Sequence, residues 1–148
     1  MDNLSKLSER IKELAFERSV KTTELATALG VKPSTLYRYI NGERTPSFQN
    51  FIKLLEYFNC SADFLLGLTD YPPLNVTYLP VPAFSTRFRY LLDTHAITQY
   101  ALHKKTGFSY DNFSKWLNGV TSPYADNLIK LAKAFDCTVD YLIGRTDG

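Results

Sequence analysis

The chain has 148 residues, is 45% hydrophobic and 22% charged, and carries a formal net charge of +2. That fits one or two soluble globular domains. No apolar run approaches the ~18 residues of a membrane span, and Met1-Asp2-Asn3-Leu4-Ser5-Lys6 lacks the basic start and apolar run of a signal peptide. So small a positive charge is no basic footprint, and a polyanionic partner would have to be met by local placement of cations.

In chain order, the first 70 residues predict five short helices. Leu4, Leu7, Ile11, Leu14 and Ala15 recur at three- and four-residue steps, which gives helix one from about Leu4 to Arg18 one apolar face. Helix two is expected from about Thr22 to Leu29, with Leu25, Ala26 and Leu29 inward and Gly30 as its stop. Helix three starts at Pro33, whose ring presets φ and whose missing N–H costs nothing at a first helical position, and ends at Asn41-Gly42. Helix four starts near the N-cap Ser47 and carries Phe51, Leu54, Leu55 and Phe58; helix five starts at Ser61 and holds Phe64 and Leu65 before Gly67.

Residues 71–83 include Pro72, Pro73, Pro80 and Pro82, so this segment is expected to be an extended linker. Leu74, Val76 and Tyr78 alternate with Asn75 and Thr77, as in a strand with one buried face. Two uses fit that pattern: packing against one of the flanking domains, or pairing with a second chain. Packing is the better expectation, because unpaired strand edges are hazardous.

From residue 84 the chain repeats itself. Arg10–Asp70 aligned on Arg87–Asp147 without a gap gives 18 identities in 61 positions, and the glycines pair as Gly30/Gly107, Gly42/Gly119 and Gly67/Gly144. Shared glycines mean shared helix ends, hence two copies of one fold and too few for a solenoid. In the second copy Ser85, Thr98, Ser109 and Thr138 are placed to cap helices, and Leu91, Leu102, Phe113, Leu117, Leu128, Leu131, Phe135 and Leu142 supply the core. The fold expected is all-α: a domain over 1–70, a linker over 71–83 and a second domain over 84–148. Cys60 and Cys137 occupy matching positions in apolar surroundings and are read as small core residues, not as a disulfide or metal site, which fits a reducing cytoplasm. His95 and His103 have no ligand spacing and are read as structural.

The most informative stretch is Leu36-Tyr37-Arg38-Tyr39-Ile40-Asn41-Gly42-Glu43-Arg44-Thr45-Pro46, echoed by Phe113-Ser114-Lys115-Trp116-Leu117-Asn118-Gly119-Val120-Thr121-Ser122-Pro123. Around it stand Glu24-Leu25-Ala26, Leu29-Gly30-Val31 and Ser34-Thr35-Leu36, then Thr98-Gln99, Leu102 and Gly107 in the second copy. Both copies close on similar tails, Ala62-Asp63-Phe64-Leu65-Leu66-Gly67 and Val139-Asp140-Tyr141-Leu142-Ile143-Gly144. With these residues the sequence resembles the Cro/repressor-type (XRE) family of bacterial and phage helix-turn-helix regulators. The resemblance covers about 130 residues and implies tandem lambda-repressor-like domains, double-stranded DNA as partner and sequence-specific regulation, with repression the first expectation.

In such a fold the N-terminal part of helix three enters the major groove and its exposed side chains meet base edges. In the first copy those are Lys32, Pro33, Ser34, Thr35 and Tyr37, with Arg38 one turn beyond Ser34. Lys32 and Arg38 are the candidates for guanine. Arg44 would hold the backbone, and Thr22 matches the family position that binds a phosphate at the start of helix two. In the second copy that position is Gln99. Its groove candidates are Ser109, Tyr110, Asp111, Asn112 and Ser114, with Lys115 in place of Arg38; Asn112 could read adenine and Asp111 could accept from cytosine. Tyr39 and Trp116 are expected in the core. His103 replaces Ala26, Thr106 replaces Leu29, and Val120 and Thr121 replace Glu43 and Arg44, so the second copy keeps the scaffold and departs at reading positions. It could bind DNA weakly, read another sequence, or offer a surface to a protein partner.

Lys32–Arg44 and Lys104–Thr121 each carry three cations and one anion. That predicts weak, salt-sensitive non-specific binding, with affinity gained by several domains together, in one chain or in a homodimer. A competing reading is a protein-interaction module, antitoxin- or anti-repressor-like. An enzyme is not expected: there is no metal spacing, no Gly-rich phosphate loop and no nucleophile–base set. No cofactor, membrane partner or small-molecule ligand is expected either.

Overall fold

The computed structural model describes residues 3–148, the side chains of Asn3 and Leu4 excepted, so the core role expected of Leu4 lies outside the described residues. The described residues form ten α-helices and no strand. The chain divides into two compact units, 1–76 and 77–148.

In the first unit the helices are α1 (Asn3–Glu17), α2 (Thr22–Leu29), α3 (Pro33–Ile40), α4 (Phe48–Phe58) and α5 (Ala62–Leu65). Each end has a local cause. Pro33 opens α3 as its first helical residue. Ser47 and Ser61 cap α4 and α5, their hydroxyls accepting from the Asn50 and Phe64 amides at 3.3 and 3.0 Å. Gly30 ends α2 at φ 69°, the left-handed conformation that lets the chain turn at once into α3. Leu7, Ile11, Leu25, Leu36, Phe51, Leu54, Leu55, Phe58 and Leu65 fill the core. Leu14 and Ala15, expected on the same face as Ile11, are only half-buried.

The second unit repeats this with α6 (Phe84–Thr94), α7 (Gln99–Thr106), α8 (Tyr110–Leu117), α9 (Ala125–Phe135) and α10 (Val139–Ile143). Thr98, Ser109 and Thr138 cap α7, α8 and α10 as expected. Ser85 does not cap α6. That helix begins one residue before it, at Phe84, with Ala83 as N-cap. The gain is burial of Phe84, which stacks on Phe88 at 5.6 Å and meets Trp116 edge-on at 6.1 Å.

An arginine shared by both copies joins the first and last helices of each unit. Arg10 donates to the Thr69 carbonyl at 3.2 Å with its guanidinium 4.2 Å over Phe64. Arg87 donates to the carbonyls of Leu142 and Tyr141 and lies 4.7 Å over the Tyr141 ring. Neither role is visible in spacing alone, because the partners lie more than 50 residues away.

Part of the expected linker is built into the second unit. Leu79 donates its amide to the Arg145 carbonyl at 2.8 Å. The Arg145 guanidinium lies 3.9 Å over the Tyr78 ring and pairs with Asp140 at 2.8 Å, with Arg145 only 3% exposed. Gly144, at φ +90°, leaves room for Pro82, whose Cδ would stand 2.9 Å from any Cβ there. The segment is extended but forms no strand, and Leu74 is 85% exposed. The alternation therefore marks an extended strap on its own domain from Thr77 onward.

A buried charge left without its partner is costly, so Arg145→Ala is expected to destabilise the second unit by about 3–5 kcal/mol. Urea denaturation followed by circular dichroism measures it. A loss under ~1 kcal/mol would show that the Asp140–Arg145–Tyr78 cluster does not hold the strap.

Candidate nucleic-acid interface

The candidate site is built on α3 and α8, each eight residues long. Helices that short are not stable alone, so buried side chains set their position. In α3 these are Leu36 and Tyr39, with Tyr39 4% exposed and its hydroxyl accepting from Asn50 Nδ2 at 2.9 Å. Ser8 of α1 donates to the Ile40 carbonyl at the end of α3. In α8, Phe113 and Trp116 are buried. Trp116 lies 5.7 Å from Phe88 and 5.3 Å from Phe108, both T-shaped. Tyr39 and Trp116 are therefore core anchors, as expected.

What remains outward on α3 is the face turned away from these anchors. Lys32, Pro33, Ser34, Tyr37 and Arg38 are exposed and Thr35 is half-buried. Arg44, beyond the Asn41-Gly42 turn, is also exposed. Among the described residues no carboxylate lies within ion-pair distance of Lys32, Arg38 or Arg44. The N-caps of α2 and α3 are Lys21 and Lys32, and neither helix start is filled by a side-chain hydrogen bond. Thr22, the first residue of α2, is half-buried beside those amides. Two helix N-termini with open amides and a lysine at each cap make a surface suited to an anion. Lys21 was not among the residues singled out by sequence; the signal was a lysine where a hydroxyl cap would ordinarily stand.

The second copy fills the same positions from within. Thr98 and Ser109 cap α7 and α8, their hydroxyls accepting from the amides of Ala101 and Asn112 at 3.0 and 3.1 Å. Gln99 is exposed at the start of α7. Tyr110 stacks on His103 with centroids 4.8 Å apart. His103 Nδ1 donates to the Phe108 carbonyl at 2.6 Å, while Thr106 Oγ1 donates to the Leu102 carbonyl and accepts from the Phe108 amide. The two departures at the inter-helix turn, His103 and Thr106, thus rebuild it with side-chain hydrogen bonds. Asp111 and Lys115 form an ion pair at 3.1 Å. Ser114 accepts from Asn118 Nδ2 at 3.3 Å, and Asn112 is half-buried.

Repeat alignment also adds two surface residues, Tyr100 and Tyr124, to the Tyr110 and Val120 already noted. Thr23, Pro33, Glu43 and Ser47 of the first copy become Tyr100, Tyr110, Val120 and Tyr124 in the second, all exposed. His95 packs edge-on against Phe135 and Tyr141, with Nε2 3.2 Å from the Tyr141 hydroxyl, which is a structural placement. Cys60 is buried and Cys137 half-buried, and neither is in a disulfide. Among the described residues no cluster of His, Cys, Asp or Glu could hold a metal ion, and no helix is long and apolar enough to cross a membrane.

Two helices joined by a left-handed glycine turn, the second pinned by one face and exposed on the other, define a helix-turn-helix domain, here present twice. Residues 17–65 match the helix-turn-helix family and residues 87–148 match the Cro/C1-type HTH DNA-binding domain family. The chain thus carries two helix-turn-helix family domains in tandem, the second matching the Cro/C1 type. It is 31% identical over 64 residues to the uncharacterised HTH-type transcriptional regulator YobD of Bacillus subtilis (strain 168), a match covering 43% of this chain and 57% of that one. No solved structure matches the chain.

If Tyr39 and Trp116 are anchors, their loss falls on stability. Tyr39→Phe is expected to cost about 1 kcal/mol for one hydrogen bond, and Trp116→Ala about 3–5 kcal/mol. Thermal denaturation reads both, and a Trp116→Ala variant as stable as wild type would show that the ring does not hold α8.

Proposed function

We propose that the protein is a sequence-specific DNA-binding transcriptional regulator that reads the major groove with α3 and α8, and that it acts as a repressor. One observation carries this reading. The exposed face of α3 presents Lys32, Ser34, Tyr37 and Arg38 with no carboxylate pairing its cations among the described residues, beside the open amides of α2 and Arg44. Arg38 suits guanine, and Thr22 and Arg44 suit the flanking phosphates. Repression by occupancy needs no activity beyond DNA binding, and DNA binding is what these surfaces support. The relative's printed name, a transcriptional regulator, points the same way.

In the second domain Gln99 takes the phosphate position, and Ser109, Tyr110, Asp111, Asn112, Ser114 and Lys115 occupy the reading face. The two faces differ in charge and in hydrogen-bonding groups. One chain would therefore recognise an asymmetric site of two unlike elements, and a homodimer would double it. The competing reading, a module that docks a protein, draws on the exposed Tyr100, Tyr110, Val120 and Tyr124. It predicts no sequence-dependent DNA binding.

A mobility-shift assay on DNA from upstream of the gene separates them. Arg38→Ala is expected to weaken binding tenfold or more, in line with the ~1–3 kcal/mol of a good guanine contact. Lys115→Ala is expected to weaken it less. Wild type binding no better than the doubly substituted chain would defeat the DNA-reading assignment.

A further inference from the structure

In α8, Asp111 and Lys115 stand one helical turn apart on the exposed side of the candidate reading helix, 72% and 47% exposed, with Nζ 3.1 Å from Oδ2. An exposed pair of this kind adds little to stability. The neighbouring candidates are already engaged. The Ser109 hydroxyl caps the helix, Tyr110 stacks on His103, and the Ser114 hydroxyl accepts from Asn118. The first domain has Ser34 and Arg38 at the two matching positions, with no acid between them. One scaffold thus carries two different donor–acceptor sets.

In the major groove a C·G base pair shows the cytosine N4 amino donor beside the guanine O6 and N7 acceptors. Cytosine N4 and guanine O6 are joined by a Watson–Crick N–H···O bond, so they lie about 2.9 Å apart. The Asp111 carboxylate and Lys115 ammonium offer an acceptor and a donor at nearly that separation. We propose that Asp111 and Lys115 read one C·G base pair as a unit, Asp111 accepting from cytosine N4 and Lys115 donating to guanine O6 or N7. The pair is neutral as a whole, so it selects the base and adds little attraction to phosphate. A G·C pair in the reversed sense, or a T·A pair, would set a base acceptor against the carboxylate. An A·T pair offers adenine N6 to Asp111 but sets the N7 acceptor beside it and gives Lys115 one acceptor, thymine O4, where guanine gives two. This inference rests on the DNA-reading role proposed for α8.

The test uses the full chain and selection from a pool of randomised duplexes, for wild type, Asp111→Asn and Arg38→Ala. Wild type is expected to select two elements, the second containing a near-invariant C·G pair. Asp111→Asn keeps the size of the side chain but replaces an acceptor-only group with an amide. It is expected to reduce discrimination at that one base pair about tenfold and to leave the first element, the one that Arg38→Ala blurs, unchanged. Circular dichroism melting checks that each variant is folded. Unchanged preference at every position overturns the proposal, as does a uniform gain in affinity for all duplexes, which would mean that Asp111 only repels phosphate. Wild type that selects no sequence overturns the DNA-reading role and this proposal with it. A first element intact beside a featureless second one overturns this proposal alone.

Discussion

The constraint on which both domains depend is that an eight-residue helix cannot hold its own shape or position. In α3 and α8 that job falls to the buried side chains. Leu36 and Tyr39 are buried in the first unit, Tyr39 held to Asn50 of α4, and Phe113 and Trp116 lie among Phe84, Phe88 and Phe108. A close-packed aromatic cluster fixes a helix to within a fraction of a side chain, because shifting it opens voids on one side and clashes on the other. One face of each helix is spent on this anchoring. The opposite face is left exposed, and it is held in place because the first is buried.

Two copies of one scaffold in one chain serve as an internal control on what the surface does. The scaffold positions agree between copies: the arginine that joins the first and last helices, the helix-ending glycines and the proline after the turn. The outward positions do not. Residues 1–76 carry nine Lys and Arg against nine Asp and Glu, and residues 77–148 carry eight against six, so the whole net charge lies in the second domain. Yet, among the described residues, the exposed cations of α3 and the turn after it, Arg38 and Arg44, have no carboxylate partner. In the second domain, Lys115 is held by Asp111, while Lys104 and Lys105 sit in the last turn of α7, where a helix C-terminus favours cations. Net charge by domain and the pairing of individual side chains therefore point to different copies, the first to residues 77–148 and the second to α3.

Local physics was legible in the chain and long-range pairing was not. The helix stops at Gly30 and Gly42 and the caps Ser47, Thr98 and Ser109 follow from residue type, and most inward side chains follow from steps of three or four residues, though Leu14, Ala15 and Leu117 are only half-buried. The capping expectation failed at Ser85 because burial of Phe84 outweighs a hydroxyl cap, and the worth of that burial depends on Trp116, 32 residues further on. Of the candidate site, the positions were readable but their state was not. Asp111 and Lys115 had the spacing of an ion pair, while the stacking of Tyr110 on His103 had no periodic signature. The strap is the sharpest case. Alternation at Leu74, Val76 and Tyr78 suggested a buried face without saying against what. The partner, Arg145, replaces the first copy's Leu68, so the repeat itself could not supply the answer. With Tyr78 and Leu79 tied to Arg145, the mechanical boundary of the second domain lies at Thr77. Residues 77–83 then belong to the second folded body and not to a free linker.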